Sequence, residues 1–403
     1  MQAEIIAIGN EVLEGHIVNT NAAFISSLLS QEGYEIKYHK VLPDNINIIV
    51  QALEIAIKQS DIVIVTGGLG PTCDDVTKEA MAKLFKTPLV FRKDVAAMIK
   101  DKTKNKEIIQ NQAMLPKESV ILPNSIGTAV GVCLATKKGL IGFFPGVPSE
   151  LKEMFVKHFM PLLKERMKVK KTQHERWLSF CLLPEIEINK VLKKASKEIS
   201  IGLYPSFREV KLHIMAKDKK NLDKWVAFLQ KKFKKNIFSL TGENIEEVVH
   251  KEFITKKKKL ALAESCSGGA LCKSFVMLPG ASNFLLGSIV CYSNALKEKI
   301  LRVDAHILKT KGAVSRETVY SMVKALFSIT SCDYAVAISG IAGPSGGTKE
   351  KPIGTVWIAI GSKKSRLDTH KFYFHGERKA IIEYSVGYAL GLLWQRIHFD
   401  KIS

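Results

Sequence analysis

Apolar residues in the first third of the chain fall into short β-branched runs separated by stretches with helical spacing. Glu4 to Ile8, Glu35 to Val41 and Asp61 to Thr66 read as strands, with Asn21 to Gln31 and Ile46 to Lys58 as helices between them. Strands that alternate with helices form βαβ units, because a crossover long enough to hold a helix lets successive strands run parallel. Residues 1 to about 165 therefore predict a largely parallel sheet covered by helices. From Trp177 to about Leu240 the pattern changes. Trp177 to Leu182 and Glu209 to Ala216 read as strands, with Val210, Leu212 and Ile214 on one buried face, and a small α+β module fits them. A second α/β pattern opens after Glu246, with strands at Leu260 to Ala263, Tyr334 to Ile338 and Gly354 to Ile360.

The length of 403 residues suits two or three domains, each able to bury its own core. Apolar runs fall far short of the ~20 residues that cross a bilayer, so no membrane span is expected. The first residues carry no basic leader and pass at once into a strand pattern, which predicts no signal peptide and a cytoplasmic location. Seven cysteines without a C-x-x-C spacing argue against a disulfide framework or a zinc site. The net charge of +21 attracts phosphates, whether of nucleic acid, anionic lipid or a phosphorylated metabolite. The lysine-dense runs Lys164 to Lys171 and Lys256 to Lys259 lack the interleaved aromatics of a single-strand-binding surface, so nucleic acid is disfavoured.

Two glycine-rich strand ends carry the chemistry. After the strand at Asp61 to Thr66 come Gly67, Gly68 and Gly70, then Pro71, Thr72, Asp74 and Asp75. Glycines at the C-terminal edge of a strand let backbone approach a phosphate, and the next helix would offer free amides. In that reading one of Asp74 and Asp75 reaches a divalent ion bound to the phosphates, with Asp75 the candidate metal ligand. The alternative, of equal weight on these residues alone, is a tight turn with Pro71 opening a helix and Asp74 capping it. No P-loop and no Gly-x-Gly-x-x-Gly follows a strand, which disfavours nucleoside triphosphatase and Rossmann dehydrogenase chemistry.

The strand at Leu260 to Ala263 ends in Glu264, Ser265, Cys266, Ser267, Gly268 and Gly269, an elbow that turns into a helix. A serine there sits at a sheet edge where amides can stabilise an oxyanion, yet it needs a base. His306, His370 and His375 lie outside any glycine-rich or strand-end context. Lys297, in Tyr292-Ser-Asn-Ala-Leu-Lys after another apolar run, is the better candidate if burial lowers its pKa. The bland reading makes Lys297 a solvent-facing helical lysine. Cys266 ranks second as nucleophile. A further loop holds Gly340, Gly343, Gly346, Gly347 and Thr348, with Lys351 beyond it, and its successive amides suit an anion.

On these motifs the chain resembles the CinA family over nearly its whole length. The N-terminal part resembles its molybdopterin-binding-like domain through Gly9 to Gly15, Asn19-Thr-Asn21, Thr66 to Thr72 with Asp74 and Asp75, and Phe144 to Glu150. The C-terminal part resembles its nicotinamide-nucleotide amidase domain through Ala263 to Gly269, Tyr292 to Asn294 with Lys297, Gly312 to Ser315, Gly340 to Pro344 and Glu350 to Thr355. The resemblance implies an α/β fold in three parts: a three-layer molybdopterin-binding-like domain over residues 1–168, a small α+β linker module over 172–244, and a three-layer amidase domain over 246–403. It implies deamidation of nicotinamide mononucleotide to the nicotinic acid nucleotide and ammonia in pyridine nucleotide salvage, with no cofactor. Ser265 would attack, Lys297 would carry the proton and Tyr292 would orient or assist, while Ser267, Gly268, Gly269 and Asn294 would join the 340–351 loop in binding substrate. For the first domain it implies a metal-dependent ADP-ribose pyrophosphatase, and for the chain a homodimer. Asn10 stands where the family usually has threonine, Val130 where it has proline, and Phe374-His-Gly-Glu-Arg378 alters a usual Phe-Pro-Gly-Asp-Arg.

Overall fold

The computed structural model describes residues 1–169, 173–196, 198–363 and 365–399, and the chain divides into two compact units, Met1–Thr172 and Gln173–Ser403. The first unit is built on a six-stranded sheet in the order Glu35–Leu42, Gln2–Ile8, Ile62–Thr66, Leu140–Phe144, Gly131–Ala135, Val120–Leu122. The first four strands are mutually parallel, and Gly131–Ala135 pairs antiparallel with both of its neighbours. Helices cover both faces, so the central strand Ile62–Thr66 is buried at every position, which is why it reads as an unbroken apolar run. Alternate residues feed two cores. Ile6, Ile8, Val63 and Val65 pack with Ile49 and Leu53 of the helix Ile46–Gln59, whereas Ile5, Ile62 and Ile64 pack with Ile25, Leu29, Phe155 and Phe159. The helices begin where sequence offers an acceptor. Asn19 takes the amide of Ala22, and Asn45 those of Asn47 and Ile48.

The second unit holds two sheets. An antiparallel sheet runs in the order Ile199–Pro205, Val210–Ala216, His174–Phe180, Ile237–Ser239. Val210, Leu212, Ile214 and Ala216 alternate onto a core with the helices Glu185–Leu192 and Lys219–Lys232. The two strands that hydrophobic spacing did not reveal, Ile199–Pro205 and Ile237–Ser239, are the edges of this sheet. An edge strand has a single paired neighbour and carries a weaker apolar signal.

The other sheet has the order Leu285–Val290, Leu260–Glu264, Tyr334–Gly340, Thr355–Ser362, Ser365–Tyr373. Its first three strands are parallel and its last two pair antiparallel. Leu260, Leu262, Val336 and Ile338 face the helices Ile245–Thr255 and Arg378–Phe399. Ala261, Ala263, Ala335 and Ala337 face Val319, Met322, Val323 and Leu326 of the helix Arg316–Ile329. Four alanines on one side leave room for that helix to pack close. Glu264 is paired with both Val290 and Ile338, so Leu260–Glu264 and Leu285–Val290 end at one level and Tyr334–Gly340 runs two residues past it.

Arg208, on the loop between two strands of the antiparallel sheet, donates through Nε to Glu383 Oε2 at 2.8 Å and through Nη1 to Ser274 Oγ at 2.9 Å. Its backbone lies so close to Gly387 that a Cβ there would overlap Arg208 Cα. The antiparallel module is thereby fixed to the last helix. No helix among the described residues is long and apolar enough to cross a membrane, and the seven cysteines are unpaired.

Candidate active site

The C-terminal ends of Leu260–Glu264, Leu285–Val290 and Tyr334–Gly340 deliver Ser265, Cys291 with Tyr292, and Ser339 with Gly340 to one place. The Ser265 amide donates to Ile338 O at 3.0 Å, which anchors the start of the elbow to the neighbouring strand. Gly268 and Gly269 then adopt φ of 60° and 96°, left-handed values that a side chain would oppose, and the chain turns into the helix Ala270–Val276. Past Tyr292, Ser293 caps the helix Asn294–Lys299 by accepting from the Leu296 amide. The fourth residue of that helix is Lys297, and its turn faces inward.

Lys297 is wholly buried, so the solvent-facing reading of this lysine is wrong. Its Nζ lies 3.0 Å from Ser265 Oγ and donates to the carbonyl oxygens of Cys291 at 2.7 Å and Tyr292 at 3.2 Å. None of the three partners is a carboxylate. Burial therefore pushes the amine below its ordinary pKa, because nothing repays the desolvation of an ammonium. The neutral amine fits the same geometry: two N–H groups meet two carbonyls, and the lone pair remains for the serine hydroxyl.

Ser265 and Lys297 line a cavity of about 150 Å³ together with Cys266, Tyr292, Gly340 and Arg378. Arg378, the first residue of the last helix, donates through Nη1 to Gly343 O at 2.7 Å and through Nη2 to the Tyr292 hydroxyl at 3.2 Å. Tyr292 is 62% exposed and forms part of the rim. Burial pushes the Cys266 thiol up to about 12, so it stays protonated and is a poor nucleophile beside Ser265.

In the first unit, Gly67, Gly68, Gly70, Asp74 and Asp75 line a cavity of about 590 Å³ at the ends of the parallel strands. The glycines are required by crowding. A Cβ on Gly67 would overlap Ile8 O, and one on Gly68 would overlap Thr77 Oγ1. Pro71 does not open a helix and Asp74 does not cap one: the helix runs Thr77–Phe85, with Val76 before it. The Thr77 amide and hydroxyl are drawn back to the carbonyls of Gly68 and Gly67, which holds residues 71–76 as a turn. Asp75 Oδ2 accepts from the amide of Thr72 at 2.9 Å and from its hydroxyl. Thr72 itself does not line the cavity. Glu11, Asp44 and Glu150 do, and its lining includes no lysine, arginine or histidine. No group of three metal-binding side chains converges among the described residues. A divalent ion at Asp75 would thus take most of its ligands from phosphates and water, the arrangement usual for magnesium.

The profile of the "CinA C-terminal domain" matches residues 242–397, and that of the "Probable molybdopterin binding domain" residues 4–165. A "CinA-like protein" of Thermosipho melanesiensis is 39% identical over 96% of this chain and 98% of its own length. The chain belongs to the CinA family. Another CinA-like protein, of Thermotoga maritima, is 36% identical over 94% of each chain. A solved structure of CinA from Thermoplasma acidophilum is 35% identical, covering 40% of this chain and 97% of that one, with a TM-score of 0.38.

In this CinA chain the fold brings Ser265, Lys297, Tyr292 and Gly340 to one cavity, and leaves most of the other residues expected there elsewhere. Ser267 Oγ and the Gly269 amide are spent on Glu264, and the Gly268 amide returns to Ser265 O. Asn294 is exposed at the start of its helix and does not line the cavity. Gly343 is reached through Arg378, whereas Gly346, Gly347 and Thr348 do not line the cavity. The Thr348 hydroxyl donates to Glu350, and Lys351 donates to Lys311 O, two residues before the lining residue Ala313. Sequence reasoning passed over Arg378 as a site residue although it sits in the altered Phe374 to Arg378 motif. It also passed over Glu264, whose place at the strand end before the serine was the available signal.

Proposed function

We propose that the C-terminal unit of this CinA chain hydrolyses the carboxamide of a pyridine nucleotide, nicotinamide mononucleotide being the substrate, to the acid and ammonia. The observation that carries this reading is the buried Lys297 amine, 3.0 Å from the Ser265 hydroxyl and without a carboxylate partner. Neutral Lys297 removes the proton as Ser265 Oγ bonds to the carboxamide carbon. The amides of Cys266 and Ser267, the elbow amides not drawn into the bonds described above, are the donors we assign to the oxyanion. Collapse breaks the C–N bond, and the proton held on Lys297 passes to the departing nitrogen, which leaves as ammonia. Lys297 then takes a proton from a water molecule as its oxygen bonds to the acyl carbon, and returns that proton to Ser265 Oγ as the C–Oγ bond breaks and the acid is freed. Tyr292 and Arg378, joined at the rim, would position the ribose phosphate. The carboxamide and its ring fit a cavity of about 150 Å³, and the nucleotide's remainder must lie outside it. The test is ammonia release from nicotinamide mononucleotide by wild type, Ser265→Ala and Lys297→Ala. Equal release by all three would refute the assignment.

For the first unit, the glycine edge and five acidic lining residues support an ADP-ribose pyrophosphatase in which phosphates enter with a divalent ion near Asp75. Such an ion would neutralise and polarise the bound phosphates. Hydrolysis of ADP-ribose with added divalent ion, lost on chelation and in Asp75→Asn, is the expected result. Assembly as a homodimer belongs to the same family reading, and sedimentation of the full chain measures it.

A further inference from the structure

Glu264 is the residue immediately before Ser265, and it is fully buried. A lone carboxylate at such a place would be costly, yet both of its oxygens are saturated. Oε2 accepts from Ser267 Oγ at 2.8 Å, the Gly269 amide at 3.0 Å and the Leu271 amide at 3.1 Å. Oε1 accepts from the Cys272 amide and from Ser288 Oγ, both at 2.9 Å. These donors come from three separate pieces of chain: the elbow, the first turn of the helix Ala270–Val276, and the edge strand Leu285–Val290. That edge strand leads directly to Cys291 and Tyr292, whose carbonyls hold the Lys297 amine.

We infer that Glu264 is a positioning residue for the amidase, one that locks the Ser265 elbow and the strand carrying the Lys297 carbonyls to each other. The inference rests on the Ser265–Lys297 reading and extends it to a group that never touches substrate. The backbone carbonyl of Glu264 adds to the clamp, since it accepts from the Cys291 amide at 2.8 Å. One residue therefore fixes the end of the nucleophile's strand, the turn after it and the start of the segment that holds the base. The elbow contains two glycines in left-handed conformations and would otherwise be its least constrained part. The carboxylate also engages the Gly269, Leu271 and Cys272 amides, on the same elbow as the Cys266 and Ser267 amides that we assign to the oxyanion. A displacement of about 1 Å between reacting groups costs on the order of 100-fold in rate.

The experiment compares wild type, Glu264→Gln and Glu264→Asp in steady-state ammonia release, with Ser265→Ala and Lys297→Ala alongside. Glutamine keeps the shape but turns an N–H₂ toward donors. A fall in kcat of roughly 10- to 100-fold is expected, with KM within about threefold because Tyr292, Gly340 and Arg378 at the cavity are untouched. Aspartate, which keeps the charge on a shorter arm, should fall between the two. Assays are run well below each variant's unfolding midpoint, so that a merely structural role would leave kcat unchanged. Native amide exchange at Gly269, Leu271 and Cys272 should accelerate in Glu264→Gln. A kcat within twofold of wild type, with the two dyad variants inactive, would overturn the positioning role and leave the amidase reading standing. No ammonia from wild type, or undiminished release by both dyad variants, would overturn the amidase reading and the role with it. Should Glu264→Gln fail to fold, Ser267→Ala combined with Ser288→Ala removes one donor from each oxygen. That pair should lower kcat several-fold at constant KM, and unchanged kcat would refute the inference.

Discussion

Replacing Lys297 by methionine separates the catalytic role of the amine from what it costs the fold. Methionine is close in length, fills the same buried space and cannot titrate. In the unfolded chain a lysine holds its proton up to a pH of about 10.4; in the folded unit burial makes Lys297 release it at a lower pH. Between those two values the unfolded chain binds more protons than the folded one, so wild-type stability rises with pH across that window. Below the window the full penalty applies, and each tenfold loss in proton affinity accounts for about 1.4 kcal/mol. The variant lacks this dependence. It also strips the Cys291 and Tyr292 carbonyls of their Nζ donor, at roughly 1–3 kcal/mol for each one left unsatisfied, but that cost is the same at every pH. Urea unfolding of both proteins from pH 6 to 10.5 should therefore show wild type gaining on Lys297→Met as pH rises, with a slope of up to about 1.4 kcal/mol per pH unit. In parallel, kcat for ammonia release should fall by about 10²- to 10⁴-fold, the usual contribution of a general base. Wild-type kcat/KM should climb with pH to a plateau, since only the neutral amine accepts a proton. A stability difference that stays constant from pH 6 to 10.5, or a kcat within tenfold of wild type, would refute the reasoning.

Iodoacetamide at pH 8 should label exposed Cys73 and spare Cys266, read by peptide mass spectrometry, because burial holds the Cys266 thiol protonated. Cys266→Ala should correspondingly keep most of the amidase activity, and its loss would return Cys266 to the role of nucleophile. Gly340→Ala places a Cβ 2.7 Å from Val356 Cγ2 and 3.1 Å from Cys266 Sγ, and should lower thermal stability by about 1–3 kcal/mol while depressing activity. Arg378→Ala breaks the bonds to Gly343 O and the Tyr292 hydroxyl, and should raise KM for the nucleotide about tenfold or more with a smaller change in kcat. A change confined to kcat would place Arg378 in the chemistry instead of at the rim.

Much of this protein follows from local sequence. The unbroken apolar run at Ile62–Thr66 and the alternation in Val210–Ala216 each record how many faces of a strand are covered, so they announce a central strand and a half-covered one. The polar elbow after Leu260–Glu264 and the glycines after Ile62–Thr66 mark strand ends with equal clarity. The edge strand Ser365–Tyr373 escaped notice because its outer side faces no strand and admits charged residues throughout. Pro71 misled for a related reason: a proline suits the start of a helix and a turn alike, and only the Thr77 hydrogen bonds to Gly67 and Gly68 decide which forms.

The site itself was decided by tertiary structure. Sequence could name a serine and a lysine 32 positions apart, but the register between neighbouring parallel strands is what sets their atoms 3.0 Å apart. Whether a lysine is buried depends on what packs over its helix, which is information held by distant segments. The same is true of Glu264, an ordinary acidic residue in the sequence whose meaning lies in five donors gathered from the elbow, the following helix and the edge strand. Residue type and spacing fix what a strand end can offer; only the register between strands fixes what meets there.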